Sequence, residues 1–232
     1  DIIKDKKSSL KTIIDLGDGI NADCLSDFSK DHSQLVGLQE ELDNDYRFRQ
    51  LIKDISPDSK KILITCNHLS RRLNKITSKK NYWLDELESL KQENLMKLDE
   101  LGWELTDSYI WGNNKIMFIH GDEALGISSQ KNPINQVRNL MKENGISLVK
   151  GHSHTTGMEI HRKFGELQYA IQVGTGYDLR KSPSYVKNGN YMLNWSNSAY
   201  MFYLHKQGKK FFTSPIVIDG GETVFEGKVY RG

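Results

Sequence analysis

Four short apolar runs in this sequence are each followed by residues that can bind a metal ion. The runs are residues 12–16, 61–66, 115–119 and 146–150. Continuous apolar runs of this length are typical of strands buried on both faces of a sheet. The polar residues at their carboxyl ends are Asp18, Asn67, His68, His120, His152 and His154.

These strand ends have the chemistry of a transition-metal site. In open α/β sheets, ligands bind at the carboxyl ends of the strands, so neighbouring strands would bring these side chains to one edge. Carboxylate, amide and imidazole groups suit ions such as Mn, Fe and Zn. The sequence therefore predicts five metal ligands, which are Asp18, Asn67, His120, His152 and His154.

The motif Gly151-His152-Ser153-His154 is the strongest single piece of this prediction. Two imidazoles two residues apart, after a buried strand and a glycine, can face one metal centre. We expect the remaining histidines, His32, His161 and His205, to be surface or packing residues.

Helix-like segments separate the apolar runs. A leucine stripe made of Leu84, Leu87, Leu90, Leu95, Leu98 and Leu101 predicts the clearest helix. Pro133 fits a first helical position and Gly145 fits the residue past a helix end. The predicted helices cover residues 34–54, 82–101 and 133–144.

The last third of the chain changes character and reads as strands without helices. Turn signals divide strand-like runs at residues 167–173, 199–206, 210–218 and 222–230. Apolar runs alternating with helices indicate an α/β sheet covered on both faces. We expect the last third to extend this core as a second, more antiparallel sheet.

Composition limits the class of protein. The 232 residues are 37% hydrophobic and 27% charged with a net charge of +2. This is ordinary for a globular domain, and it neither predicts nor excludes nucleic-acid binding. No apolar run approaches the roughly 18 residues of a membrane span. We therefore expect a single domain over residues 1–232, in the cytoplasm, without membrane contact.

In their order along the chain, these motifs resemble those of the calcineurin-like metallophosphoesterases. That family reads Asp-x-His, Gly-Asp, Gly-Asn-His-Asp/Glu, His and Gly-His-x-His, and this sequence carries counterparts of the last four. The resemblance covers essentially the whole chain, and Asn194-Trp195 before a strand-like run is similar to bacteriophage and prophage members. It implies an α/β fold, a sandwich of two mixed β-sheets flanked by helices.

The resemblance implies a metal role for five positions. Asp18 is similar to the carboxylate that bridges two ions. Asn67, His120 and His152 are similar to the other protein ligands of the second ion, and His154 to a ligand of the first. The implied cofactors are two divalent ions in a complete domain, with Mn²⁺ expected first and Fe, Zn or Ni as alternatives.

Two further positions are implied to act on the substrate. His68 resembles the imidazole that faces the scissile phosphate, and Arg71 resembles an arginine that holds a phosphate oxygen. The implied activity is hydrolysis of phosphate esters by metal-activated hydroxide. We expect a phosphodiesterase or nuclease rather than a monoesterase, with nucleic acid among the candidate substrates.

Three departures from the family pattern leave an alternative open. The Asp-x-His motif is absent, and Asp1–Lys7 reads as the end of the helix that would follow its strand, so we expect a longer gene product. Cys66 replaces a Gly, and Leu69 replaces the carboxylate after His68. The chain should then hold one metal ion better than two. The alternative is a catalytically weakened or inactive relative that is a binding or structural component of a larger assembly.

A basic stretch follows the predicted site, and its role is open. It comprises Arg71, Arg72, Lys75, Lys79 and Lys80. These side chains would either contact a phosphate-rich substrate such as DNA or RNA, or form a solvated helix face.

Overall fold

The computed structural model describes residues 1–26, 36–80, 82–113, 115–122, 132–179, 194–205 and 210–232. These residues form two compact units. The amino-terminal unit contains the described residues up to Asp107, and the carboxy-terminal unit contains those from Ser108 onward. Among the described residues, no helix has the length and apolar character needed to cross a bilayer.

The amino-terminal unit is a three-stranded parallel sheet with helices. Its strands are β1 (Thr12–Asp15), β2 (Lys60–Ile64) and β3 (Trp103–Thr106). Its helices are α1 (Ile2–Lys6), α2 (Leu38–Ile55), α3 (Leu69–Lys80), α4 (Gln92–Leu95) and α5 (Leu98–Leu101). The strand order is β1-β2-β3, and both pairings are parallel.

The core of this unit lies between the sheet and its helices. Leu42 and Ile52 of α2 pack in one cluster with Leu63 of β2, Leu69 of α3 and Trp103 of β3. Four of the five residues of β2 are buried, as expected for the central strand of a parallel sheet covered by helices. This packing fixes β1 and β2 side by side, so their carboxyl ends meet at the same edge.

The carboxy-terminal unit is built on a five-stranded mixed sheet. Its elements are β4 (Ser108–Trp111), β5 (Ile116–Ile119), α6 (Pro133–Asn144), β6 (Ser147–Lys150), β7 (Gly157–Lys163) and β8 (Glu166–Gln172). The strand order is β4-β5-β6-β8-β7. The three central strands are parallel, and both outer strands are antiparallel to their neighbours.

Two antiparallel hairpins complete this unit. They are β9 (Asn197–Leu204) with β10 (Phe211–Ile218), and β11 (Glu222–Phe225) with β12 (Lys228–Arg231). Helix α6 packs Val137 and Met141 on one face of the sheet. Phe118 contacts Phe202 of β9, with ring centroids 5.4 Å apart. Since neighbouring strand residues point to opposite faces, the hairpin covers the face opposite α6.

The structure confirms the α/β class and most of the predicted strands. All four metal-associated apolar runs are strands, and α6 begins at Pro133 with Gly145 in the left-handed conformation past its end. The predicted run at 222–230 is a hairpin of two strands. The carboxy-terminal sheet is mixed, as expected, whereas the amino-terminal sheet is parallel throughout. The metallophosphoesterase type and the single domain over residues 1–232 stay predictions.

The predicted helix over residues 82–101 is wrong. This segment contains 3₁₀ turns at Tyr82–Glu86 and Glu88–Leu90, followed by the short helices α4 and α5. Leu87 and Lys91 are extended and Lys97 is left-handed, so the backbone leaves the helical region three times. Leucines three residues apart suit the three-residue repeat of a 3₁₀ helix as well as an α-helix.

The four apolar runs lie in two different sheets. The expectation of one ligand-binding edge placed them as neighbours in a single sheet. The first two runs are β1 and β2 of the amino-terminal sheet, and the last two are β5 and β6 of the carboxy-terminal sheet. Each pair is parallel and adjacent. The predicted residues therefore fall into two groups, one in each unit.

Candidate metal and substrate sites

The first group begins in the turn after β1. Gly17 and Asp18 both have left-handed backbones, with φ of 95° and 63°. Glycine adopts this region without steric cost, and Asp tolerates it better than most residues. The Gly17 N–H donates to Oδ1 of Asp15 at 2.9 Å, which closes the turn. Asp18 is thereby held half-buried directly past the strand end.

The loop after β2 lies beside Asp18. Its Cys66 is buried, and burial raises the pKa of the Cys66 thiol to about 12. The negative charge of Asp18 adds to this rise, while backbone N–H groups of Asp18, His68 and Leu69 oppose it. The Cys66 thiol is therefore protonated at neutral pH. The structure brings Asp18 together with the Asn67–His68 loop, as the sequence predicts, and their roles stay predictions.

A buried arginine that the sequence did not reveal supports the Asp18 turn. Arg49 of α2 is 0% exposed. Its Nη2 donates to Oδ2 of Asp15 at 2.9 Å, and its Nε donates to Oδ2 of Asp45 at 2.7 Å. Its guanidinium lies 4.4 Å from the centroid of the Trp103 ring. Asp15 thus joins the turn to α2, since its other oxygen accepts from Gly17.

A second arginine supports the chain that follows Asp18. Arg72 donates through Nη1 to the Asn21 carbonyl oxygen and lies 3.3 Å from Oδ1 of Asp23. The Ala22 N–H donates to Oε2 of Glu41 at 2.8 Å, and burial raises the pKa of Glu41. Arg72 is therefore bonded within the fold, and the interpretation as part of a solvated helix face is wrong for this residue.

Helix α3 starts directly after Asn67 and His68. Arg71 and Lys75 are exposed and one helical turn apart, so they lie on one side of α3. Leu69 is 1% exposed and belongs to the core. The position after His68 therefore faces apolar residues, where a carboxylate would be costly to bury.

The second group lies at the ends of β5 and β6. His120 follows β5 and is 2% exposed, and His152 follows β6. Nε2 of His120 lies 3.1 Å from Nδ1 of His152, with the ring planes at 81°. Two nitrogens bound at about 2.1 Å to one ion would be about 3.0–3.4 Å apart in octahedral or tetrahedral geometry. The pair is therefore spaced as two ligands of one metal ion.

The backbone around the Gly-His-x-His motif is unusual. His152 and His154 are both left-handed, with φ of 64° and 57°. A non-glycine residue in this region is uncommon, and such residues cluster at functional sites. Asp18 in the other unit shares this feature. Three of the five predicted ligands thus have conformations that sequence alone did not indicate.

His154 contacts a tryptophan. Its ring centroid lies 4.3 Å from that of Trp195, with an interplanar angle of 87°. The Ser196 N–H donates to the His154 carbonyl oxygen at 2.9 Å. Trp195 therefore contacts the His154 ring and Ser196 bonds its backbone, a role that sequence reasoning missed.

The two histidine turns share a buried lysine. Lys150, the last residue of β6, is 0% exposed. Burial lowers the pKa of its ammonium group to about 8, and the charge of Asp122 acts in the opposite direction. Sequence reasoning missed Lys150, because a lysine at a strand end is most often a surface residue.

The other histidines have the surroundings of surface or packing residues. Nε2 of His161 lies 3.1 Å from Oε2 of Glu159, which also lies 3.5 Å from Arg138. His205 is exposed at the end of β9, where its N–H donates to the Lys210 carbonyl oxygen. His32 lies outside the described residues. The structure thus agrees with the sequence for His161 and His205.

Comparisons with protein-family models and with curated proteins find no match to this chain. The resemblance to metallophosphoesterases therefore depends on the motifs and on the geometry within each unit.

Proposed function

We propose that this chain is a metal-dependent hydrolase of phosphate esters. The observation that carries the proposal is the His120–His152 nitrogen pair at 3.1 Å, at the ends of adjacent parallel strands. The left-handed conformations of Asp18, His152 and His154 support it. The motif order that resembles metallophosphoesterases adds the reaction class, and the finer fold type belongs to the same proposal.

Each group contains proposed metal ligands. His120 and His152 fit an ion by their spacing, and His154 follows in the same turn. Asp18 and Asn67 are assigned by the resemblance. Imidazole nitrogens and carboxylate or amide oxygens are donors that suit Mn²⁺, Fe, Zn or Ni. When bound, such an ion lowers the pKa of a coordinated water and offsets phosphate charge.

The remaining polar residues would act on the ester. His68 lies just before the first turn of α3, where a helix amino terminus attracts phosphate oxygens. A protonated His68 would donate a proton to the leaving oxygen. Arg71 is exposed two residues into α3 and would hold a phosphate oxygen through its guanidinium.

The preference for a diester or nucleic acid rests on the exposed side of α3. Arg71 and Lys75 offer two positive charges one helical turn apart. A substrate with several phosphates would contact both, whereas a small monoester would contact one. Binding to such a substrate should weaken as salt rises.

The second candidate function is a relative with weak or no catalysis. Leu69 favours it, because this side chain is packed in the core and no carboxylate at that position orients His68. Such a protein would keep a metal ion and contribute binding or structure to a larger assembly.

A diester assay separates these functions. The substrate is bis-p-nitrophenyl phosphate with added Mn²⁺, and the variants are His152→Ala and the control His205→Ala, which alters an exposed histidine. The proposal predicts hydrolysis by the parent chain and His205→Ala, and a loss of at least about 100-fold in His152→Ala. Metal binding without hydrolysis would favour the second function.

A further inference from the structure

Lys150 is a buried cation in the middle of the carboxy-terminal sheet. It pairs with Ile119 of β5 on one side and with Gln172 of β8 on the other. All four residues of β6 are buried. A hydrophobic residue would satisfy this position in the sheet at lower desolvation cost. A lysine here therefore calls for a role for its ammonium group.

The ammonium group is bonded to the turn that carries the predicted ligands. Nζ donates to Oγ of Ser153 at 3.0 Å and lies 3.5 Å from the Gly151 carbonyl oxygen. Ser153 stands between His152 and His154, whose backbones are both left-handed. The hydrogen bond from Lys150 therefore reaches the turn at the residue between the two histidines.

The aliphatic part of Lys150 contacts the other histidine turn. Gly121 follows His120 and has φ of 93°. A Cβ atom there would lie 2.4 Å from Cε of Lys150 and 2.5 Å from its Cγ. The lysine stem therefore lies directly against the Gly121 backbone, and Lys150 touches both turns that present the paired imidazoles.

We propose that Lys150 is the positioning residue that holds the His120 and His152 turns in their ligand-binding arrangement. The inference depends on the proposed function for its metal-binding consequence and on geometry alone for its structural one. Gln172 assists, since its Nε2 donates to the Gly151 carbonyl oxygen at 2.6 Å. Partners of this kind beyond the ligands fix ring orientation, and their loss typically lowers metal affinity about 10–100-fold.

The test compares Lys150→Met with Ser153→Ala, which removes only the hydrogen-bond acceptor. Methionine keeps an unbranched apolar stem against Gly121 and removes the ammonium group. The control is Lys163→Met, at an exposed position of β7. Ser153→Ala decides the question by itself if Lys150→Met does not fold.

The first readout is the ¹⁵N spectrum of the histidine rings in the metal-free chains. We expect Lys150→Met and Ser153→Ala to move the His152 and His154 signals while those of His161 and His205 stay in place. Unmoved His152 and His154 signals in Ser153→Ala would overturn the inference. This result does not depend on whether the chain binds metal.

The second readout is Mn²⁺ affinity measured by calorimetry. We expect the dissociation constant to rise about 10–100-fold in Lys150→Met, with no change in Lys163→Met. The double variant Lys150→Met, Ser153→Ala should lose no more Mn²⁺ affinity than Lys150→Met alone, because both changes break the same hydrogen bond. Equal affinity of Lys150→Met and the parent chain would overturn the inference. A parent chain that binds no Mn²⁺ would refute the proposed function and leave the ring spectra to decide the role of Lys150.

Discussion

Replacing Arg49 by methionine should strongly destabilise the amino-terminal unit. The change leaves the Asp15 and Asp45 carboxylates without the cation that bonds both, at 2.9 Å and 2.7 Å. Removing one partner of a buried ion pair costs about 3–5 kcal/mol. The lost contact with the Trp103 ring adds about 1 kcal/mol. Because methionine fills much of the space of the arginine stem, we add no cavity term and expect a loss of about 5 kcal/mol.

Urea unfolding followed by tryptophan fluorescence measures this loss. With a denaturant slope of about 2 kcal/mol per molar urea, a loss of about 5 kcal/mol lowers the midpoint by about 2.5 M. The matched control is Arg47→Met on the same helix, where the arginine is exposed and donates to Oδ1 of Asn44. That change should stay within about 0.5 kcal/mol of the parent chain. Equal midpoints for the two variants would refute the role of Arg49.

The pH dependence provides an independent check with a defined sign. Burial raises the pKa of Asp45 above its ordinary value of 3.8, and Arg49 opposes this rise. When folding raises the pKa of a carboxyl group, the folded state becomes less stable as the pH increases from the unfolded pKa to the folded one. Removing Arg49 raises the folded pKa of Asp45 further, because Arg49 opposes the rise, and so widens that interval. The deficit of Arg49→Met relative to the parent chain should therefore be smaller at pH 5 than at pH 7.5, and a larger deficit at pH 5 would contradict the reasoning.

Two further predictions concern thiols and a glycine. Cys24 is exposed and Cys66 is buried with a pKa raised to about 12, so a thiol reagent at pH 7.5 should modify Cys24 quickly and Cys66 only on unfolding. Rapid modification of both would contradict the Cys66 environment. A Cβ at Gly174 would lie 2.0 Å from the Ser196 carbonyl oxygen, whereas one at Gly176 meets nothing within 4 Å. Gly174→Ala should therefore lower thermal stability by about 1–3 kcal/mol and Gly176→Ala by much less, and equal melting temperatures would be inconsistent with this packing.

The sequence predicted the four strands that precede the candidate ligands because they are short, mostly apolar runs. The strand β7 (Gly157–Lys163) was missed, since it is an edge strand with charged and polar residues at most of its positions. The strand β3 (Trp103–Thr106) was missed because it directly follows the leucine stripe, whose spacing indicated a continuing helix. Local spacing alone cannot separate these possibilities, because tertiary packing decides between them.

The candidate ligands were predictable, but the residues that hold them were not. The types and positions of Asp18, His120 and His152 indicate metal chemistry without knowledge of the fold. Arg49 and Lys150 look like ordinary surface cations in the sequence, and their burial depends on neighbours far along the chain. For Arg49 the pair with Asp45 four residues earlier was a signal, although such pairs are common on exposed helix faces.

Metal content tests the central claim most directly. The parent chain, purified without chelator, and an Asp18→Ala, His152→Ala double variant would be analysed by elemental mass spectrometry after incubation with Mn²⁺ or Zn²⁺. The double variant is compared with His161→Ala, His205→Ala, which removes two other histidines. We expect about one equivalent of metal in the parent chain and in the control, and none in the Asp18→Ala, His152→Ala variant. A metal-free parent chain, or equal metal in both double variants, would contradict the proposed site.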